Sequence, residues 1–251
     1  MRGPVKTVLT FALLLLALGS VYFVLMRGLS QRQSPPPEEE EPLAVRYTGS
    51  DIPLDPGGEY WTSIEPTKIQ LYPQVARVPF GTEKRVIWVR GVYSDGEIAL
   101  HLQFDDATEN RGDQSTSDAC AIMFTPADTP ATGQMMGHGS GANIWHWLAG
   151  GGRSSDEQET ETTQQVRELI ASGPATQTPM EHQNVVANGE YHDGKWMVVF
   201  KRPLESRQDG ELALRPGVDS KVSFAVWDGA LMESFSRKSI AILRTLRLEQ
   251  D

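Results

Sequence analysis

The sequence predicts an antiparallel β-sandwich, on three observations. Apolar and polar residues alternate with period two through much of the chain after Arg85. The alternating runs are short and closely spaced. Asp-Gly pairs stand between them at Asp95-Gly96, Asp193-Gly194 and Asp228-Gly229, where glycine suits a tight turn. Dense short strands with turn signals between them build sandwiches or barrels.

Three parts are expected along the chain: residues 1–26, 27–45 and 46–251. The first contains an uncharged, largely apolar run of 20 residues, Thr7 to Met26. At about 1.5 Å rise per residue, a helix of that length spans the ~30 Å hydrocarbon core. Ala17–Gly19 is a passable small-x-small cleavage site. The apolar run continues past it through "VYFVLM", so an uncleaved transmembrane anchor is expected. Anchor or cleaved signal, the folded domain is expected on the extracytoplasmic, periplasmic side. Residues 27–45 read as a tether. Pro35–Pro37 favour a stiff extended chain, and Glu38–Glu41 repel one another into solvent.

In the third part, "RVIWVRGVY" (85–93) and "EIALHLQF" (97–104) read as a hairpin. Ile98, Leu100, Leu102 and Phe104 share one face of the second strand, and Ala99, His101 and Gln103 the other. "DACAIMF" (118–124) alternates again. "NVVANGEY" and "KWMVVFKR" flank the turn at His192-Asp193-Gly194, and "KVSFAVW" and "KSIAILRTLRL" close the chain. Gly150–Pro179 breaks the pattern. It is polar, apart from "TTQQVRELIAS" (162–172), where a short helix is expected inside a long loop.

Composition narrows the function. A formal net charge of −10 opposes nucleic-acid binding, which needs a basic surface. One cysteine, Cys120, leaves no internal disulfide, no Cys-rich zinc site and no CxxCH haem attachment. No GxSxG, HExxH or phosphate-cradling glycine loop is present. None of the five histidines are paired at metal-ligand spacing; His101 reads as structural and His192 as solvated. Asp105 and Asp106 could bind calcium, but capping of their loop is the expected role.

The stretch "MMGHGSGANIWHW" (135–147) is unusual. The Met135 and Met136 thioethers are soft ligands that suit haem iron or copper, although methionine also fills cores. Trp145 and Trp147 face one side of a strand and His146 the other. The tryptophan pair suits core, a sugar platform or the wall of a flat cofactor pocket.

Five segments in order resemble the haem b-binding γ subunits of the type II dimethyl sulfoxide reductase family, which includes ethylbenzene, dimethyl sulfide, chlorate and selenate enzymes. They are "RVIWVRGVYSDGEIALHLQFDDAT", "DACAIMF", "MMGHGSGANIWHW", "NGEYHDGKWMVVFKRPL" and "FAVWDGALMESFSRKSIAILRTLRLE". The resemblance implies an immunoglobulin- or DOMON-like sandwich carrying one noncovalent haem b between a methionine and a lysine. The methionine maps onto Met136, with Met135 as the fallback, and the lysine onto Lys238. His138 is a competing ligand in this sequence. Trp145, Trp147 and Trp227 become expected pocket walls or supporting core. The implied role is a non-catalytic electron-transfer subunit. Its partners would be a molybdopterin catalytic subunit and an iron–sulfur subunit, with a soluble cytochrome or quinol-linked donor or acceptor. This sequence departs from the family in its expected anchor and in Phe104, where a tryptophan is common. The competing reading is a carbohydrate- or small-ligand-binding sandwich without haem.

Overall fold

The computed structural model describes residues 41–74, 85–113, 115–130, 141–151, 165–173 and 176–250. The expected anchor at Thr7–Met26 lies outside them. Among the described residues, no helix is long and apolar enough to cross a membrane.

These residues form thirteen strands and one four-residue helix. In chain order they are β1 (Leu43–Tyr47), α1 (Glu59–Thr62), β2 (Thr67–Pro73), β3 (Arg85–Tyr93), β4 (Glu97–Asp105), β5 (Ala119–Pro126) and β6 (Ala142–Leu148). There follow β7 (Val166–Ala171), β8 (Thr178–Pro179), β9 (Val186–His192), β10 (Lys195–Pro203), β11 (Ser220–Trp227), β12 (Ser239–Ala241) and β13 (Arg244–Leu248). The hydrogen-bonded order is β8-β7-β6-β5-β11-β12-β2-β3-β4-β10-β9. β1 opens at Leu43, a few residues before the expected start of the domain. It pairs in parallel with both β13 and β3.

β6 and β10 are far apart in that order, yet their aromatic side chains meet. Trp147 and Trp196 rings lie 5.0 Å apart, and Trp145 and Phe200 6.3 Å. The sheet therefore folds over at the short β12, and two layers face each other across the main core, as the alternation predicts. Ile98, Leu100, Leu102 and Phe104 all enter that core. The opposite face of β4 is also covered. Ala99 packs with Ile52 and Trp61, and His101 stacks on Trp61 at 5.1 Å. His101 also bonds the Pro56 carbonyl through Nε2 at 3.1 Å, which is the structural role expected of it. Each large apolar side chain fully buried here contributes roughly 1.5–3 kcal/mol.

The turns divide by chemistry. At the β9–β10 hairpin, Asp193 and Gly194 both take the left-handed region, with φ of 49° and 75°. This is the conformation a two-residue hairpin turn requires. The β3–β4 hairpin forms over Ser94–Gly96, and Ser94 N–H donates to the Glu97 carbonyl at 2.8 Å.

One expected element is corrected. Residues 166–171 are strand β7, not helix. The segment pairs antiparallel with β6 from Val166↔Trp147 to Ala171↔Ala142. Its Arg, Glu, Leu and Ala content favours helix locally. Tertiary pairing overrides this because Glu168, fully buried, meets Arg202 and Asn143 in the interior.

Candidate functional site

Directly paired residues of neighbouring strands share a face, so the register fixes what lies beside what. On the outer face one row crosses five strands: Arg167 on β7, His146 on β6, Ala121 on β5, Ala225 on β11 and Ile240 on β12. In the neighbouring row, Leu148, Ala119 and Trp227 stand in register. Leu148, Trp227 and the three alanines belong to a second buried apolar cluster, separate from the main core, with Ile240 packed against it. Its centre is paved by Ala119, Ala121 and Ala225, whose side chains end at Cβ. Such a floor leaves room for the Trp227 indole to reach His146 from two strands away. Their rings meet edge to face at 5.2 Å.

Lys238 immediately precedes β12 and stands over the same indole. Its Nζ is 4.7 Å from the Trp227 ring centroid. Burial pushes its pKa down from 10.5 to about 8. That moves the amine toward the neutral form a metal requires. The His146 imidazole falls from 6.5 to about 4, first through burial, then through the positive charges of Lys238 and Arg167.

The backbone around Lys238 is braced. Trp227 Nε1 donates to the Phe235 carbonyl at 3.2 Å, and Gln74 N–H donates to the Lys238 carbonyl at 2.8 Å. Arg85 reaches Glu233 at 2.6 Å and Asp228 at 3.3 Å, closing the base of the β11–β12 loop. Within that loop Met232 and Phe235 adopt positive φ of 50° and 53°, uncommon for residues with large side chains.

The other residues expected at the site are placed as follows. Trp145 and Trp147 are 0% exposed and point into the main core, away from Lys238. They hold supporting-core positions and form no sugar platform. Trp145 Nε1 donates to Asn143 Oδ1 at 3.2 Å, and Arg202 stacks on its ring at 5.2 Å. Trp227 alone of the three tryptophans shares the face of Lys238. Met135, Met136 and His138 lie outside the described residues. His146 and Arg167 were not among the expected site residues. The alternation that turned Trp145 and Trp147 inward already turned His146 outward, but only cross-strand register reveals that Lys238 shares its side.

A second polar group closes one end of the sandwich. Asp106, Asp118 and Asp228 each offer a carboxylate oxygen within 4.8 Å of the others. Asp118 is fully engaged: it accepts from Trp196 Nε1 at 2.9 Å, Asn110 N at 2.7 Å and Gly229 N at 2.8 Å. Asp106 accepts from Thr108 N at 3.1 Å, the loop-capping role expected of it. Burial pushes its pKa up from 3.8 to about 7. Asp105 is exposed and lies 3.8 Å from Lys195.

The sequence is similar to several known proteins. The profile of the ethylbenzene dehydrogenase family matches residues 170–239, a span that includes Trp227 and Lys238. A Haloferax mediterranei chain assigned as a respiratory nitrate reductase heme subunit is 29% identical over 197 residues, covering 76% of this chain and 67% of its own. The chlorate reductase gamma subunit of Ideonella dechloratans is 22% identical, covering 82% and 84%. The dimethylsulfide dehydrogenase gamma subunit of Rhodovulum sulfidophilum is 27% identical, covering 77% and 75%. Among solved structures, a family 9 carbohydrate-binding module from Caldicellulosiruptor kristjanssonii aligns with a TM-score of 0.49 at 8% identity, covering 84% of this chain and 97% of its own. Two of these relatives are named gamma subunits, of a reductase and of a dehydrogenase, and the third is named a heme subunit. These matches support a gamma subunit of the type II dimethyl sulfoxide reductase family, a non-catalytic chain of an enzyme complex.

Proposed function

We propose that this chain carries electrons through one noncovalent haem b on the outer face of the sandwich. Lys238 is one axial ligand. A methionine, Met136 or failing that Met135, is the other. The observation that carries this reading is the setting of Lys238: an amine on an apolar surface, held against Trp227, with its pKa lowered by burial to about 8.

The donor set fits the group. A lysine binds iron only as the free amine, and burial favours that form. Trp227 shields one side of the amine from water, and the alanines of β5 and β11 make the cluster around that indole apolar. A thioether stabilises the ferrous state and raises the potential. When bound, the haem supplies a one-electron couple. Two axial side chains leave no open position for a substrate, which suits electron transfer. The partners that follow are a molybdopterin catalytic subunit and an iron–sulfur subunit, with a quinol-linked chain or soluble cytochrome beyond. In the same reading Thr7–Met26 anchors the chain, residues 27–45 tether it, and the domain is periplasmic.

The test is spectroscopic. The full chain, purified and loaded with haem, should give a low-spin spectrum and a b-type α band on reduction. Lys238→Ala should convert it to a high-spin or histidine-ligated form. No α band in the wild-type protein would sink the haem reading.

A further inference from the structure

We propose that Leu231, Met232 and Phe235, in the β11–β12 loop, form an apolar rim that closes on the porphyrin beside Lys238, with the Phe235 phenyl as its main contact. The inference rests on the haem reading above and adds the residues that retain the group once its iron is ligated.

The loop reverses the usual partition of side chains. Ser234 is buried and the Glu233 side chain is only 14% exposed, whereas Leu231 is 39%, Met232 55% and Phe235 75% exposed. Among the described residues, Phe235 is the most exposed of the large hydrophobic side chains. A single exposed apolar residue is ordinary, but three within five positions form a patch that marks a binding surface.

The backbone holds this arrangement in place. Met232 and Phe235 both take the left-handed region, which bulky side chains rarely adopt. Hydrogen bonds fix it. Met232 N–H donates to the Gly229 carbonyl at 3.0 Å, Glu233 N–H to the Asp228 carbonyl at 3.1 Å and Arg237 N–H to the Ser234 carbonyl at 2.9 Å. Arg237 Nη2 donates to the Met232 carbonyl at 2.7 Å. A loop braced in an uncommon conformation, with its apolar side chains outward, is preformed to receive an apolar surface.

Its position names that surface. The bond from Trp227 Nε1 sets the Phe235 backbone at the edge of the indole whose face carries the Lys238 amine. Phe235 lies three residues before Lys238, so their Cα atoms are at most about 11 Å apart. A porphyrin whose iron meets Lys238 extends to every side of that bond, and toward the loop it meets the rim. Covering a largely apolar disc with apolar side chains removes both surfaces from water. A bare metal ion on Lys238 would leave the rim uncovered.

The experiment follows transfer of haem b from the purified, haem-loaded full chain to excess apomyoglobin. Phe235→Ser should lose haem about tenfold faster than wild type, the scale of burying one large apolar side chain, and should keep the low-spin spectrum. Phe235→Leu should restore most of the retention. Phe235→Gly relieves the left-handed backbone, so its haem-free form should resist urea at least as well as wild type, yet lose haem as fast as Phe235→Ser. Unchanged haem loss in both the Ser and Gly variants overturns the rim, leaves the haem reading standing and assigns the patch to a partner protein. Faster loss with a high-spin spectrum also overturns it, because the substitution then acts by moving Lys238. The absence of a low-spin spectrum in wild type overturns both readings.

Discussion

His101 and His146 lie on different faces of the molecule, and burial keeps both neutral well below the usual histidine range, at about 4. A depressed histidine stabilises the fold fully above its ordinary 6.5, and that contribution is lost as pH falls through about 4. Asp106 has the opposite sign. Its raised pKa favours the fold below the ordinary 3.8, and the benefit is lost as pH rises through about 7. The two trends oppose each other in wild type, so variants must separate them. Urea midpoints measured from pH 4.5 to 8 should do so. Asp106→Asn should gain on wild type as pH rises, and His101→Gln should gain as pH falls toward 4. Matching slopes in wild type and variant would refute the corresponding assignment.

Strands β9 and β10 show how closely elements are fitted. Gly189 lies on β9 opposite Val198, and a Cβ added there would run into the Trp147 indole. Gly189→Ala should therefore cost about 1–3 kcal/mol through overpacking, read as a lowered thermal midpoint. The alternation along β4, β5, β6 and β10 made these elements legible, because period two records which face is buried. β7 was misread because its stabilising partners, Arg202 and the β6 backbone, are distant in sequence. The site was half legible for the same reason. Lys238 and Trp227 came from a resemblance. His146 and Arg167 required the pairing of β6 with β7 and of β5 with β11, which no local window contains.

The two layers are joined by a polar bolt through the core. Arg202 on β10 meets Glu168 on β7 at 3.3 Å and Glu211 at 3.3 Å, and it bonds Asn143 on β6 at 2.9 Å. Arg202 and Glu168 are almost wholly inaccessible. Arg202→Met would leave two buried carboxylates without their cation. It should cost about 3–5 kcal/mol in urea unfolding. A change below ~1 kcal/mol would mean that solvent reaches the network. The molecule thus relies on apolar packing over most of the interface and on one charged cluster to hold the layers in register.

β1 has a consequence for how the chain reaches this state. Leu43 pairs with Leu246 and Tyr47 with Tyr93, so the first described strand is zipped to the last one as well as to β3. A polypeptide emerging from the ribosome holds β1 ready long before its β13 partner exists. Contacts of such wide sequence separation slow the search for the native topology. Closure of the domain must wait for β13, so one edge of β1 stays unpaired until that strand has been made.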